Sequence, residues 1–333
     1  MKLHHAAVLA ATLAAALSVN GPSRAEQEEA TFAVPALTIT FTPLYVASEA
    51  GLWKKAGLDV KEVFIVGMGS TNAMLAGSVD FAISSGPTLI RSNIRGQKLV
   101  AIAGMSNALM FETVVRKESA KGLTMQASVA DRAKALRGLK IAVDGQNTVV
   151  HAFLRYHARK GGVDPEREIS VVGMQPEAVL AAMKTGAIDG GTFTYPWSVT
   201  AVRQGGVMLA SGVQNDFPEM MPFVTSLTTV RPDACEKKPS VCAKLLAGYK
   251  AAFKFIADNP KETLEILNKR LAGNDPQDLA AAFVEVRKTT PATPAIDERA
   301  LVNAQELMIV GGMMKPEEKV SSFAGFYDNR FAN

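Results

Sequence analysis

Short apolar runs rich in β-branched residues alternate along the chain with stretches of helical period, and most changes of period fall at glycine, proline or a hydroxyl residue. Leu37 to Phe41 reads as a first strand. Thr42-Pro43 then supplies the cap and first position of a helix through Tyr45, Val46, Ala50 and Trp53. Gly57-Leu58-Asp59 turns the chain into a strand over Val60 to Val66. Gly67 and Gly69 end that strand, Ser70 or Thr71 caps a helix carrying Ala73 to Ala76, and Gly77 closes it. Phe81 to Ser84 is the next strand, running into Ser84-Ser85-Gly86-Pro87 and a helix to about Arg95, before a further strand over Leu99 to Ala103. Such alternation predicts an α/β fold with a mainly parallel sheet covered on both faces.

From Leu136 the pattern restarts. Leu139 to Val143 is a strand, Asp144 to Thr148 a turn and cap, and Val149 to Lys160 a helix. A strand over Ile169 to Val172 leads through Gly173-Met174-Gln175-Pro176 into a helix containing Val179, Leu180 and Met183, and then into a strand over Gly190 to Thr194. Three turns echo the first half in order: Gly57-Leu58-Asp59 with Gly162-Val163-Asp164, Val66-Gly67-Met68 with Val172-Gly173-Met174, and Gly77 to Asp80 with Gly186 to Asp189. The echo predicts two similar lobes.

Two extended, β-branched stretches, Glu112 to Arg116 and Val224 to Val230, read as the crossings between the lobes, with the crossovers themselves at 114–116 and 224–230. Beyond the second the chain reads as helical: Cys242 to Asp258, Pro260 to Arg270, Pro276 to Lys288 and Asp297 to Val310. With no new strands there, these helices are expected to pack back on the first lobe. That makes it discontinuous, 26–113 plus 231–333, around a second lobe of 117–223. Two crossings rather than one would form a hinge that bends without letting the lobes drift apart.

Lys2 precedes an apolar run from Ala6 to Val19, and Ser23-Arg24-Ala25 has the small-x-small pattern of a cleavage site, so residues 1–25 read as a secretory signal peptide removed near Ala25. The formal charge of +4 is spread among interleaved acids and bases, which argues against a nucleic-acid partner. In an exported chain the two cysteines, Cys235 and Cys242, suggest a local disulfide; a metal or redox pair would want a CxxC or a nearby histidine. Beyond the leader only His151 and His157 remain, six apart on one helix, with His151 the nearer to the strand ends and His157 expected on the helix surface. No nucleophile elbow, HExxH or phosphate loop is present, so no enzyme, cofactor or metal site is expected.

Ligands of open α/β sheets sit beyond the carboxyl ends of the strands. Here those ends carry Thr42, Leu44 and Tyr45; Gly69 and Ser70; Ser84 and Ser85; Asp144, Gln146, Asn147 and Thr148; Gln175; and Thr194 and Tyr195. Helix N-termini at these turns offer unpaired N–H groups and partial positive charge, which suit a small anion without any Arg or Lys. Ser, Thr and Asn at such positions are first of all caps. Trp53 reads as core and Tyr45 as a contact, while Asp144 is either a cap or an acceptor for the ammonium of a zwitterionic ligand.

FTPLYVASEAGLWKKAGLDVKEV (41–63), GSTNAMLAGSVDFAISS (69–85), LRGLKIAV (136–143) and FYDNRFA (326–332) resemble periplasmic solute-binding proteins of the nitrate, sulfonate and taurine class, which serve ABC importers. The resemblance implies a two-lobed, type II-like periplasmic binding fold that closes on a small molecule and delivers it to a membrane permease, acting as a monomer. Many relatives carry Trp-Glu-Pro where this chain has Thr194-Tyr195-Pro196, which disfavours an amine-bearing ligand and leans towards an aromatic or unaminated acid. Enzymes that make a thiamine pyrimidine share the pattern, but depend on a cysteine-rich motif absent here. A lyase on the same fold and a binding protein for a pyrimidine or thiamine precursor are the alternatives.

Overall fold

The computed structural model describes residues 27–332, so the expected leader lies outside the described residues. Among the described residues ten strands form two five-stranded sheets. The first sheet contains β1 (Glu28–Val34), β2 (Leu58–Phe64), β3 (Phe81–Ser84) and β4 (Val100–Gly104). The second contains β5 (Phe111–Val115), β6 (Lys140–Val143), β7 (Ser170–Gly173), β8 (Gly190–Thr194) and β9 (Val207–Ser211). The last strand, β10 (Leu227–Val230), returns to the first sheet. The strand orders are β2-β1-β3-β10-β4 and β7-β6-β8-β5-β9. In each sheet the fourth strand runs antiparallel to both neighbours, while the first three pair in parallel. The echoed turns thus bound topologically equivalent units, β2-helix-β3 and β7-helix-β8.

The first strand is Glu28–Val34 rather than Leu37 to Phe41. Phe32 and Ala33 are fully buried, and every residue of β1 pairs in register with β2. Pro35, which lacks an N–H for the ladder, follows it directly, and Ile39–Phe41 forms a short 3-10 turn capped by the Thr38 side chain. The alternation Leu37, Ile39, Phe41 imitates a strand, yet Leu37 is 57 % exposed. The crossovers also differ from 114–116 and 224–230, the second overlapping its expected range only at 224–226. Val114 and Val115 lie in β5, residues 227–230 form β10, and the chain passes between sheets in the segments before them, 105–110 and 212–226.

Helices Pro239–Asp258 and Pro260–Arg270 pack on the first lobe's Thr42–Glu49, as expected. The last two do more. Pro276–Thr289 also meets Trp197–Arg203, and Glu298–Val310 lies between Gly86–Ile94 and Val149–Lys160. Arg203 Nε donates to Asp278 Oδ1 at 2.6 Å, Thr200 donates to the other carboxylate oxygen at 2.6 Å, and Arg155 Nη1 donates to the Gly311 carbonyl at 2.9 Å. The C-terminal helices therefore strap both flanks of the hinge.

Cys235 and Cys242 are disulfide-bonded, tying the short helix Ala234–Lys237 to Pro239–Asp258. Trp53 is core: its ring packs against Phe32 and edge-on to Tyr249, and Nε1 donates to the Leu245 carbonyl at 3.1 Å. Gly248 makes room for it, since a Cβ there would lie 2.1 Å from Trp53 Cδ1. Gly248→Ala gains about 1 kcal/mol of helix propensity but overpacks a buried ring, at a cost of about 1–3 kcal/mol. Thermal unfolding of this variant should come at a lower temperature than for the parent chain; an unchanged or higher midpoint would show that the indole can move aside.

Candidate functional site

The carboxyl ends of β1, β2 and β3 face the same way, as do those of β6, β7 and β8, and the turns that follow them carry the candidate residues. On the second lobe the turns after β6 and β7 touch, with a Gly173 Cβ position 3.8 Å from the Gly145 Cα. Asn147 adopts a left-handed φ of 59°, and its N–H donates to His151 Nδ1 at 3.1 Å. Thr148 caps Val149–Lys160 by accepting the His151 N–H at 3.2 Å, and its hydroxyl donates to Asp144 at 2.6 Å. Asp144 is exposed, yet the protein around its carboxyl withdraws enough solvent to raise it above the ordinary range. Burial, with Arg155 nearby, lowers His151. With Nδ1 accepting, His151 braces the Asn147 turn.

The candidates divide by exposure. Asp144, Gln146, Asn147 and Gln175 are exposed, and Gly69, Ser85, Thr148 and Thr194 half-buried, so these eight line the accessible strand ends. Ser85 caps Gly86–Ile94, accepting the Thr88 N–H at 3.2 Å. Thr42, Leu44, Tyr45, Ser70, Ser84 and Tyr195 are buried. Thr42 is not the cap of its helix but its first residue, with its hydroxyl turned back to the Ile39 carbonyl at 2.5 Å. Tyr45, expected as a contact, is fully enclosed; its hydroxyl accepts the Thr38 N–H at 3.2 Å, the Arg270 guanidinium lies over its ring, and burial pushes its pKa to about 12. Ser70 and Thr71 lie inside Met68–Leu75, whose cap is Gly67 at a φ of 58°. Ser70 donates to the Gly67 carbonyl, and Thr71, Ser84 and Thr229 form a buried hydroxyl chain.

His157 is wholly buried, not on the helix surface. Its helix is covered by the sheet on one side and by Val129–Lys134 and Glu298–Val310 on others, so Val150 through Ala158 are all buried.

Sequence reasoning missed an apolar rim. Leu37, Phe64, Val66 and Met68 are 57, 58, 71 and 51 % exposed, all at the carboxyl ends of β1 and β2. Val66-x-Met68 at a glycine turn was the available signal. The turns 35–38, 65–69, 85–88, 144–148 and 174–177 contain no Lys or Arg, and offer backbone N–H groups at helix starts with hydroxyl and amide side chains instead. Among the described residues no cluster of His, Cys, Asp or Glu could hold a metal ion. A cavity of about 660 Å³ bounded by Arg116, Leu180, Met183, Lys184 and Gly206 lies at the opposite, amino ends of the second sheet's parallel strands and is separate from this site.

Comparison with known proteins agrees with this geometry. A protein of Brucella abortus (strain 2308), provisionally named as a binding protein, is 28 % identical over 263 residues, covering 78 % of this chain and 73 % of its own. The alkanesulfonate-binding protein SsuA of Xanthomonas axonopodis pv. citri, solved with MOPS bound, superposes with a TM-score of 0.68 at 16 % identity, over 92 % of this chain and 99 % of that one. The desulfurization enzyme DszB has the same fold, with a TM-score of 0.67 at 13 % identity over 91 % and 97 % of the two chains. Residues 23–272 match the NMT1-like family, and the chain belongs to it.

Proposed function

We propose that this chain is the extracytoplasmic solute-binding component of an ABC importer, exported by a leader cleaved near Ala25 and acting as a monomer that delivers a small organic anion to a membrane permease. The observation that carries the reading is the pair of sheets with one strand order, joined by two crossings, each bringing helix starts to the carboxyl ends of its parallel strands. The first sheet with its helices, residues 27–104 and 227–332, acts as one jaw and the second, residues 111–211, as the other. Ligand touching Ser85 and Gly69 on one side and Gln146, Asn147, Thr148, Gln175 and Thr194 on the other favours the closed form by the contacts it makes only there. The exposed Leu37, Phe64, Val66 and Met68 favour a ligand with an apolar body, such as an alkyl or aryl sulfonate or carboxylate, over a bare inorganic anion. Catalysis has little to work with: Asp144 in the turn after β6 and His151 in the first turn of the helix that follows are each held by a neighbouring hydrogen bond.

A thermal-shift screen of sulfonates, aromatic acids, nitrate and pyrimidines tests this. Ligand at a hundred times its dissociation constant stabilises by about 2.7 kcal/mol. An amphipathic acid should raise the unfolding temperature, nitrate should not, and small-angle scattering with that acid should show a smaller radius of gyration. Shifts from cations alone would refute the anion reading.

A further inference from the structure

Glu112, the second residue of β5, is fully buried yet has no part in the cleft turns. Its cross-strand partners are Phe193 on β8 and Ser211 on β9. β5 arrives from the crossing at 105–110 and β9 leaves into the crossing at 212–226, so Glu112 and Ser211 mark where both crossings join the second sheet. The Ser211 hydroxyl donates to Glu112 Oε1, and the Tyr195 hydroxyl donates to the same oxygen at 3.3 Å. Ser211 Oγ in turn accepts the Gln214 N–H at 3.0 Å, which extends the tie into the second crossing. Tyr195 belongs to the same buried cluster as Ile39, Phe41 and Met110, so the arrangement reaches from the second sheet into the first lobe's core.

We infer that Glu112 is the positioning residue of the hinge: its protonated carboxyl clasps both crossings and Tyr195 into one unit, and its ionisation loosens that unit. Oε2 is buried without a hydrogen-bond partner, and so is the neighbouring Ser198 Oγ. Oε2 and Ser198 can pair in either charge state, Oε2 donating when protonated and accepting the Ser198 hydroxyl when ionised, so the balance rests on what else faces the carboxyl. The groups facing the carboxyl are the hydroxyls of Ser211, Ser198 and Tyr195 and, at longer range, Glu285 from Pro276–Thr289. No cation is among them. Hydroxyls alone stabilise a buried carboxylate incompletely, and Glu285 repels it. Burial accordingly pushes Glu112 up to about 7. An ionised Glu112 draws water to Oε2, and water reaches that buried atom only if β5 and β8 part from Trp197–Arg203.

The test needs no ligand. Amide exchange, corrected for its intrinsic pH dependence, should show residues 105–115 and 207–216 losing at least about tenfold of their protection between about pH 5.5 and pH 8.5. Glu112→Gln, which can still accept from Ser211 and Tyr195 and donate to Ser198, should keep that protection at both pH values. Equal pH dependence in parent and variant, or none in the parent, would overturn the proposal. Should the variant fail to fold, infrared spectra of an Asp144→Asn chain still decide. One protonated carboxyl band must persist at about pH 6 and vanish by about pH 8, and a carboxyl already ionised at the lower pH would sink the idea.

Discussion

Arg132→Met should lower the stability of the folded chain by about 3–5 kcal/mol, the usual cost of leaving half of a buried ion pair behind. The Arg132 side chain is 3 % exposed and that of Asp216 10 %. The guanidinium donates to both Asp216 oxygens, at 2.6 and 2.8 Å, and further to the Leu209 and Ala127 carbonyls. This pair joins the helix Val129–Lys134 to the end of β9 and to the second crossing, because Asp216 also accepts the Ser211 N–H at 2.7 Å. Urea unfolding is the measurement. Arg132→Met should shift the midpoint strongly, whereas Arg132→Met with Asp216→Leu should recover much of the loss, since no unpaired charge then remains. If the double variant is as unstable as the single one, the loss comes from packing or from the carbonyl bonds and not from a stranded carboxylate.

The second large effect lies one helix away. Both ring nitrogens of His157 are buried and unpartnered, and its ring packs on Phe217. Burial, helped by the Arg132 charge and opposed by Asp216, lowers its pKa from 6.5 to about 3. The unfolded chain therefore binds a proton between those values where the native chain binds none, so stability rises with pH across this window and is lost as pH falls through it. Within the window the slope is at most about 1.4 kcal/mol per pH unit. His157→Leu should flatten the acid limb of a stability–pH profile and, by removing two unpaired nitrogens, leave the protein no less stable at neutral pH. Glu112 acts with the opposite sign. Its native pKa is raised from 4.5 to about 7, so its contribution is full at low pH and declines as pH rises between those values. The two slopes oppose each other between pH 4.5 and 6.5. Glu112→Gln should consequently steepen the acid limb that His157→Leu removes; a parent profile unchanged by either substitution would contradict both assignments.

Most strands were readable because a parallel strand buried on both faces is a continuous apolar run ended by a turn residue. Phe81–Ser84 and Lys140–Val143 fall where that pattern puts them. β1 was not readable: two glutamates open it, and the alternation just after it imitates a strand more strongly. β5 and β10 were visible as extended segments but not as sheet members, since nothing local says that a strand will insert antiparallel between two others. The site was legible as a set of turns, and less so residue by residue. A threonine before a proline looks like a cap whether or not a 3-10 turn precedes it, and Tyr45 looks half-exposed until Thr38 and Arg270 close over it. Burial of charge is the least legible feature. Arg132 and Asp216 stand 84 residues apart and have no local sign of each other.

The position of β10 bears on the order in which the chain can assemble. All five strands of the second sheet lie within residues 111–211, so that sheet can complete itself from one continuous piece. The first sheet cannot. Until residues 227–230 arrive, β3 and β4 have no strand between them. β3 then has one unpaired edge, and β4, whose only ladder is with β10, has two. During synthesis or refolding the later-made lobe should thus gain protection first, and the earlier-made lobe should remain an open template, sensitive to proteases and to strand pairing with other chains, until the return strand closes it.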